Sequence, residues 1–290
     1  MAYAVRTQKE LIDIHVHGAE KYDTLTRRQD DVLRLADIHG SRGTGSILPT
    51  VYPGTVEDMR ANMTAIRRAM ASQSSGATIL GVHLEGPFLN PGRAGSLDKK
   101  SFLDPSKKTL RELVDGFEDL IRIVTVAPEL SGALAVIELC REKGFLVQMG
   151  HSDATFEQAE EGKQAGATGI THIFNAMRGF HHREPGLAGF GLMDDDIYVE
   201  VIADLVHLHP QSLKMVFEMK RPDRIILVSD SVKGAGWGKG AIRGPGGVLE
   251  GSGVSLMDCV KNLISLGMHQ DWVLQFASDN PKQYLGITEI

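Results

Sequence analysis

The sequence predicts a (β/α)8 TIM-like barrel, in which eight parallel strands close on themselves and helices surround them. Short runs rich in Ile, Val and Leu alternate with longer amphipathic stretches, which is the pattern of parallel strands joined by helices. Eight such runs occur, and no glycine-rich dinucleotide-binding loop follows the first one, which favours a closed barrel over an open doubly wound sheet. A chain of 290 residues is also long enough for one barrel domain.

The predicted strands and helices alternate along the chain. The strands cover residues 11–16, 46–50, 78–84, 121–126, 145–149, 169–173, 198–203 and 225–228. Helical patterns lie at 30–39, 56–71, 133–143, 156–164 and 212–220, and a final helix is expected near 271–285. Thr155 and Ser131 are predicted N-caps, while Gly40, Gly144 and Gly166 are predicted to end helices.

One glycine-dense stretch, residues 234–253, follows the eighth predicted strand. It predicts a mobile loop, and two interpretations stay open for it. A flexible connector and a lid over an active site are equally compatible with its composition.

The composition is that of an ordinary globular protein, with 42% hydrophobic and 23% charged residues. A net charge of −6 leaves no basic stripe, which argues against nucleic acid as a partner. Residues 1–10 lack an apolar signal segment and no window approaches membrane-spanning length, so we expect a cytoplasmic protein without membrane contact. Cys140 and Cys259 have no nearby cysteine partner and are predicted to be buried structural thiols.

The first and third predicted strands end in side chains that bind metals. His15 and His17 end the first strand, and the alternation of side chains along a strand puts both imidazoles on one face. Glu85 follows the third strand in a β-to-α turn, where a carboxylate is a good hard ligand. His83 lies two residues earlier on the same face, and a supporting partner of the ligands or a packed core histidine are both open interpretations.

Three further strands end in the same way. His151 follows the fifth strand, His172 lies at the end of the sixth, and Asp230 follows the apolar run of the eighth. A buried acid without a partner is unfavourable, so Asp230 should serve a cation or a proton. Because the strand ends of a barrel meet at one face, these residues and those of the first and third strands predict one shared site.

The predicted ligands are His15, His17, Glu85, His151 and His172, a set of nitrogen and carboxylate donors without thiolate. Zn²⁺ is the default ion for such a set, Fe²⁺, Mn²⁺ and Co²⁺ remain open, and so does the number of ions, one or two. A metal with an open coordination position lowers the pKa of a bound water and polarises a carbonyl. Asp230 would then take the water proton and return it to the leaving group, which makes the chain a metal-dependent hydrolase.

Six segments resemble the N-acetylglucosamine-6-phosphate deacetylase family of the amidohydrolase superfamily. They are IDIHVHG (12–18), HLEGPFLN (83–90), GHSDA (150–154), THIFNAM (171–177), REPGLAG (183–189) and VSDS (228–231). The resemblance implies that Glu85, His151 and His172 bind the principal metal and that Asp230 is the catalytic acid and base. Members that keep the first-strand histidines, as this chain does, resemble those with a second metal.

The resemblance also implies a phosphorylated sugar substrate. It places Asn175, Ala176, Arg183 and His207 at the sugar phosphate, with one of these groups supplied by the neighbouring subunit of a homodimer. The planar guanidinium of Arg183 suits a phosphate. Without the resemblance, Arg183 would read as a surface ion-pair residue and His207 as a core histidine.

The chain departs from the family in three places. Family members usually carry a small β-sandwich domain built from both termini, whereas residues 1–290 predict a single catalytic barrel from which that domain is essentially absent. Leu97 stands where the family commonly offers His or Gln near the sugar, and leucine cannot hydrogen-bond a hydroxyl, so an epimeric sugar is open. VSDSVKGAG also replaces the usual start of the loop after the eighth strand.

We therefore expect a metal-dependent amidohydrolase that removes acetate from an N-acetyl-hexosamine 6-phosphate, with N-acetylglucosamine 6-phosphate as the leading substrate. N-acetylgalactosamine 6-phosphate, or another N-acyl compound or cyclic amide, is the alternative. A catalytically inactive barrel that serves as an interaction subunit is a third reading, and the intact ligand set argues against it.

Overall fold

The protein forms the predicted barrel of eight parallel strands. The computed structural model describes residues 9–235 and 240–288. The barrel strands are β1 (Ile12–Val16), β2 (Ser46–Val51), β3 (Val82–Glu85), β4 (Ile121–Val126), β5 (Leu146–Met149), β6 (Gly169–Ile170), β7 (Tyr198–Ile202) and β8 (Ile225–Val228). Each pairs in parallel with the next along the chain.

The barrel closes between β8 and β1 at the carboxyl ends of these strands. Asp230 N–H donates to the His15 carbonyl at 3.0 Å, and His17 N–H donates to the Ser231 carbonyl at 2.9 Å. Buried Asp13 adds a side-chain link, since its Oδ1 accepts from Ser229 N–H at 3.2 Å. The closure therefore fixes the backbones that carry three predicted site residues, His15, His17 and Asp230.

Helices surround the strands. They are α1 (Gln29–Ser41), α2 (Val56–Ser72), α3 (Lys107–Val114), α4 (Ala133–Glu142), α5 (Phe156–Ala165), α6 (Gly186–Met193), α7 (Pro210–Met219), α8 (Leu256–Ser265), α9 (Gln270–Leu274) and α10 (Asn280–Tyr284). The π-helical turn Gln275–Asp279 joins α9 to α10, so the predicted final helix forms with one irregular turn. Within the described part of the chain, no helix combines the length and the apolar character needed to span a bilayer.

The predicted helix caps are partly right. Thr155 caps α5 through a capping box with Gln158, and Gly166 ends that helix. Gly144 follows α4 with a φ of +83°, as a C-terminal glycine does. Two other predictions are wrong: Gly132 rather than Ser131 precedes α4, and α1 continues through Gly40 to Ser41.

Two predicted strands are shorter than expected. The 78–84 run breaks at Gly81, whose φ of +141° separates the short strand Thr78–Ile79 from β3. The 169–173 run ends at Ile170 because His172 takes a φ of +28°, outside the extended region. Apolar periodicity did not reveal either break, since apolar residues continue beyond both, with Val82 after Gly81 and Ile173 after His172.

Apolar side chains fill the strand–helix layer and the lower barrel interior. The interior cluster consists of Ile12, Ile14, Leu48, Ile123, Ile202, Ile226, Val228 and Tyr284. Cys140 and Cys259 are buried free thiols, as predicted. Because the lower interior is packed, only the end that carries the carboxyl termini of the strands is free for a site.

The glycine-dense 234–253 stretch folds into a hairpin in its described part. Strands β9 (Ala241–Arg243) and β10 (Leu249–Ser252) pair antiparallel, so this stretch contains regular structure that its glycine density did not indicate. Gly246 and Gly247 have φ values of +74° and +79° and form the turn, a conformation that favours glycine. Residues 236–239 of the predicted loop lie outside the described residues.

Candidate active site

The carboxyl ends of five barrel strands bring together six buried side chains that the sequence singled out. They are His15, His17, Glu85, His151, His172 and Asp230, each no more than 8% exposed. Glu85 is the last residue of β3, and the others belong to β1 or to the turns after β1, β5, β6 and β8.

Glu85 lies at the centre of this cluster. Its Oε1 is 3.1 Å from His151 Nε2 and 3.1 Å from His172 Nε2, while its Oε2 is 3.2 Å from His17 Nε2. Burial alone would raise the pKa of Glu85, but the histidines, His151 first among them, hold it well below its usual range. The carboxylate is therefore ionised. Its Oε1 faces His151 and His172, with His15 Nε2 at 3.5 Å, and its Oε2 faces His17.

Three of the six residues reach this centre through left-handed backbone. His151, His172 and Asp230 have φ values of +48°, +28° and +49°. Such conformations are unfavourable for residues with a Cβ and persist only where the surrounding structure enforces them. Here they turn the side chains inward immediately after a strand.

The donor set fits a divalent metal. His15 Nε2 and His17 Nε2 face each other at 3.2 Å, and Asp230 Oδ1 lies 3.5 and 3.7 Å from them. Two ring nitrogens that face one another require a shared proton or cation between them. Three triads of described residues have ligand atoms within 4.8 Å of one another: His15, His17 and Asp230; His15, Glu85 and His172; and His15, His83 and Glu200. Nitrogen and carboxylate oxygen donors without thiolate suit Zn²⁺, Fe²⁺, Mn²⁺ and Co²⁺.

Neighbouring groups orient the histidines. His151 Nδ1 donates to the carbonyl of Arg93 at 3.0 Å, which leaves Nε2 directed at Glu85. The Arg93 guanidinium is itself held by Asp153, with Nε 2.8 Å from Oδ1. Partners of this kind fix the tautomer and the ring orientation of a metal-binding histidine.

Glu200 is a member of the site that sequence reasoning missed. It lies in the middle of β7 with a fully buried side chain, and His15 Nδ1 is 3.0 Å from its Oε2. The same oxygen accepts from the His172 backbone N–H at 3.2 Å. The signal in the sequence was a single acid inside the apolar run 198–203. Glu200 therefore holds both the His15 side chain and the His172 backbone.

We expect Glu200→Ala to weaken metal retention selectively. Without the carboxylate, His15 loses the partner that directs its Nε2 inward, and partners of this kind typically contribute about 10- to 100-fold to metal affinity. Metal content after dialysis against a chelator measures the effect. Glu200→Gln keeps an acceptor oxygen and should restore most of the retention. Unchanged retention in Glu200→Ala would remove Glu200 from this role.

His83 is a core histidine that packs beside the site. Its Nδ1 donates to the Ile14 carbonyl at 3.1 Å, and its Nε2 accepts from the Thr125 hydroxyl at 2.8 Å. Burial lowers the pKa of His83 to about 3, so the ring is neutral. With both nitrogens occupied, it supports His15 by edge contact at a centroid distance of 4.8 Å.

A cavity of about 340 Å³ opens above the cluster. The predicted substrate residues Asn175, Ala176 and His207 line it, and so does Leu97. Arg183 does not line it in this chain, because its guanidinium lies on an exposed loop with Nη1 2.9 Å from His182 Nε2. A role for Arg183 at this cavity would therefore need a neighbouring subunit, which remains a prediction.

Tyr52 is a second lining residue that the sequence did not single out. Its ring stacks on His17 with centroids 4.0 Å apart and planes 23° apart. Burial, followed by the carboxylates of Asp23 and Asp230, raises the pKa of Tyr52 well above its usual value, so the phenol stays protonated. The strand-end pattern could not reveal Tyr52, because a tyrosine beside a strand is common and is not by itself a sign of a site.

His207 is held in place by Asp204. Its Nδ1 is 2.7 Å from Asp204 Oδ2, and Asp204 Oδ1 accepts from the backbone N–H groups of Val206 and His207 at 2.9 and 2.8 Å. Burial alone would lower the pKa of His207, but its bond to Asp204 raises it overall. The remaining nitrogen, Nε2, is the one left for a ligand in the cavity.

The profile of the amidohydrolase family matches residues 11–289. The chain belongs to the amidohydrolase family. This match confirms the predicted superfamily, the barrel fold and the predicted class of enzyme, a hydrolase that acts on carbon–nitrogen bonds.

Named relatives narrow the comparison. The chain is 32% identical to N-acetylgalactosamine-6-phosphate deacetylase of Escherichia coli O157:H7 over 95% of this chain and 77% of that protein. It is 36% identical to N-acetylglucosamine-6-phosphate deacetylase of Bacillus subtilis (strain 168), over 78% of this chain and 58% of that protein. The predicted family resemblance is thereby confirmed.

Two solved structures have a fold similar to that of this chain. N-acetylglucosamine-6-phosphate deacetylase of Thermotoga maritima shares a TM-score of 0.87 and 29% identity, covering 96% of this chain and 78% of that one. A second structure is that of a mutant N-acetyl-D-glucosamine-6-phosphate deacetylase of Mycobacterium smegmatis in complex with N-acetyl-D-glucosamine-6-phosphate. It matches with a TM-score of 0.90 and 26% identity, over 99% of this chain and 82% of that one.

Proposed function

We propose that this amidohydrolase removes the acetyl group from an N-acetyl-hexosamine 6-phosphate, releasing acetate and the amino sugar phosphate. The observation that carries the proposal is the convergence of Glu85, His151, His172 and Asp230 beneath a cavity also lined by Asn175 and His207. The names of the relatives supply the substrate class.

In this proposal Glu85, His151 and His172 hold the principal metal. His15 and His17, with Asp230 beside them, offer a second position. A divalent ion at such a site lowers the pKa of water and polarises a carbonyl. The nitrogen and carboxylate donors make Zn²⁺ our proposed ion, with Fe²⁺, Mn²⁺ and Co²⁺ as alternatives. We also propose a cytoplasmic homodimer.

The chain's own residues then move the proton and orient the substrate. Asp230 lines the cavity at the end of β8, where its carboxylate takes a proton from the attacking water and delivers it to the amide nitrogen as the C–N bond breaks. Asn175 and Ala176 contact the sugar phosphate, and His207 presents Nε2 to the phosphate.

The galacto epimer is a second candidate substrate. Leu97 lines the cavity and cannot hydrogen-bond a sugar hydroxyl. The Escherichia coli relative is named for the galacto sugar. A leucine at that position makes no hydrogen bond that would distinguish the two configurations of the hydroxyl that faces it.

Acetate release tests the proposal. The purified protein, loaded in turn with Zn²⁺, Fe²⁺, Mn²⁺ and Co²⁺, is assayed with the gluco and galacto forms of the N-acetyl sugar 6-phosphate and with both unphosphorylated sugars. We expect kcat/KM for a phosphorylated sugar to exceed that for its unphosphorylated form by about 10-fold or more, since charge-assisted hydrogen bonds are strong. No acetate from either phosphorylated sugar with any of these metals would reject the function.

A further inference from the structure

The cavity contains one arginine, and it is not the one that the family resemblance implied. Among the described residues that line the cavity, Arg243 is the only lysine or arginine. The other charged lining groups are carboxylates, Glu85, Asp230 and Glu250, together with the histidines. Among the described residues, a phosphate that enters this cavity therefore meets a single permanent cation.

The hairpin directs Arg243 toward the cavity. Arg243 ends β9, where the pairing register with β10 shifts between Ile242 and Arg243. One guanidinium nitrogen, Nη1, donates to the Gly247 carbonyl at 2.8 Å and thereby ties the side chain to the hairpin turn. The remaining guanidinium N–H groups have no partner in the part of the chain that the structure describes, so they are available to a ligand.

His207 supplies a second donor at the same wall. Asp204 occupies its Nδ1 at 2.7 Å, which leaves Nε2 facing the cavity that Arg243 also lines. The charge of Arg243 lowers the pKa of His207, but the hydrogen bond to Asp204 has the larger effect and raises it overall. An imidazole nitrogen and a guanidinium fork form a donor set suited to a phosphate.

We propose that Arg243 binds the 6-phosphate of the substrate from within the same protomer, with His207 as the second donor. This inference rests on the proposed function for the identity of the ligand. It assigns phosphate recognition to the hairpin after β8, whereas Arg183 lies outside the cavity and is paired with His182.

Kinetics with paired substrates tests the assignment. Arg243→Gln should raise KM for the phosphorylated N-acetyl sugar by roughly 10- to 100-fold, the range expected for hydrogen bonds to a charged group. Turnover of the unphosphorylated sugar should stay within about 2-fold, because the lost contact is to the phosphate alone. Arg243→Lys keeps the charge without the planar fork and should recover part of the loss. Arg68→Gln, on the exposed face of α2, is the matched control.

Arg183→Gln separates the two arginines. An increase in KM with Arg243→Gln, with or without a smaller one from Arg183→Gln, supports the inference. A KM within about 3-fold of wild type for Arg243→Gln overturns it.

Binding of inorganic phosphate separates this inference from the proposed function. Calorimetric titration of wild type and Arg243→Gln needs no turnover. Weaker phosphate binding by Arg243→Gln supports the anion site even if the wild type releases no acetate, in which case the proposed function alone fails. Equal phosphate binding by both proteins, alongside normal acetate release by wild type, rejects Arg243 and keeps the function.

Discussion

Asp230→Asn is expected to lower kcat by about 10³-fold while leaving KM nearly unchanged, since a positioned general acid and base typically contributes about 10²- to 10⁴-fold. Asparagine has almost the same shape but cannot accept the proton of water or return one to the amide nitrogen. Asp230 lines the cavity with its Oδ1 3.5 Å from His15 Nε2, where a transferred proton would be needed. Steady-state acetate release measures the loss.

Metal analysis keeps this result interpretable. Asp230 also lies 3.7 Å from His17 Nε2, so the variant must be shown to keep its metal. Loss of turnover with full metal content assigns Asp230 to proton transfer, and loss of both assigns it to metal binding. Asp195→Asn, an exposed acid after α6, is the matched control and should behave as wild type. Retained turnover in Asp230→Asn would end its catalytic assignment.

The position of the cluster followed from the sequence because it requires only the approximate carboxyl end of each strand. Parallel strands of a barrel all place their carboxyl ends at one face, so a histidine or acid directly after each apolar run had to meet the others. Glu85, His151 and Asp230 needed no knowledge of packing to be placed together. The spacing in His15-Val16-His17 also fixed a shared direction, because side chains alternate along a strand.

The supporting and binding residues were harder to predict because they depend on neighbours that are distant in sequence. Glu200 contacts His15 across the barrel interior, 185 positions away, and a lone acid in a strand carries no sign of its partner. Arg243 reaches the cavity only because Gly246 and Gly247 turn the hairpin back. Glycine density alone could not distinguish such a turn from a flexible loop, so the sequence did not predict the hairpin.

Glu85→Gln should lower turnover severely by weakening the hold on the principal metal, which we propose Glu85 binds together with His151 and His172. Its two oxygens contact three imidazole nitrogens at 3.1, 3.1 and 3.2 Å. Glutamine replaces one of these oxygens with an NH₂ group and removes the negative charge, so the site becomes a poor match for a divalent cation. Because a bound metal contributes several kcal/mol to such a reaction, we expect kcat to fall by about 10³-fold or more.

The variant His17→Asn is the informative comparison for Glu85→Gln, because it removes one first-strand histidine and leaves Glu85, His151 and His172 unchanged. His17 contacts Glu85 through Oε2, whereas His151 and His172 share Oε1. If the principal ion is held at Oε1, His17→Asn should lose at most one ion and retain part of the turnover, while Glu85→Gln loses the metal and cannot be rescued by excess ion. Elemental analysis beside kinetics reads both outcomes, with circular dichroism to show that each variant is folded. Full metal content in Glu85→Gln would place the principal ion elsewhere. A complete loss of activity in His17→Asn would show that the first-strand histidines are as necessary as Glu85, because all the ligands would then act as one metal centre.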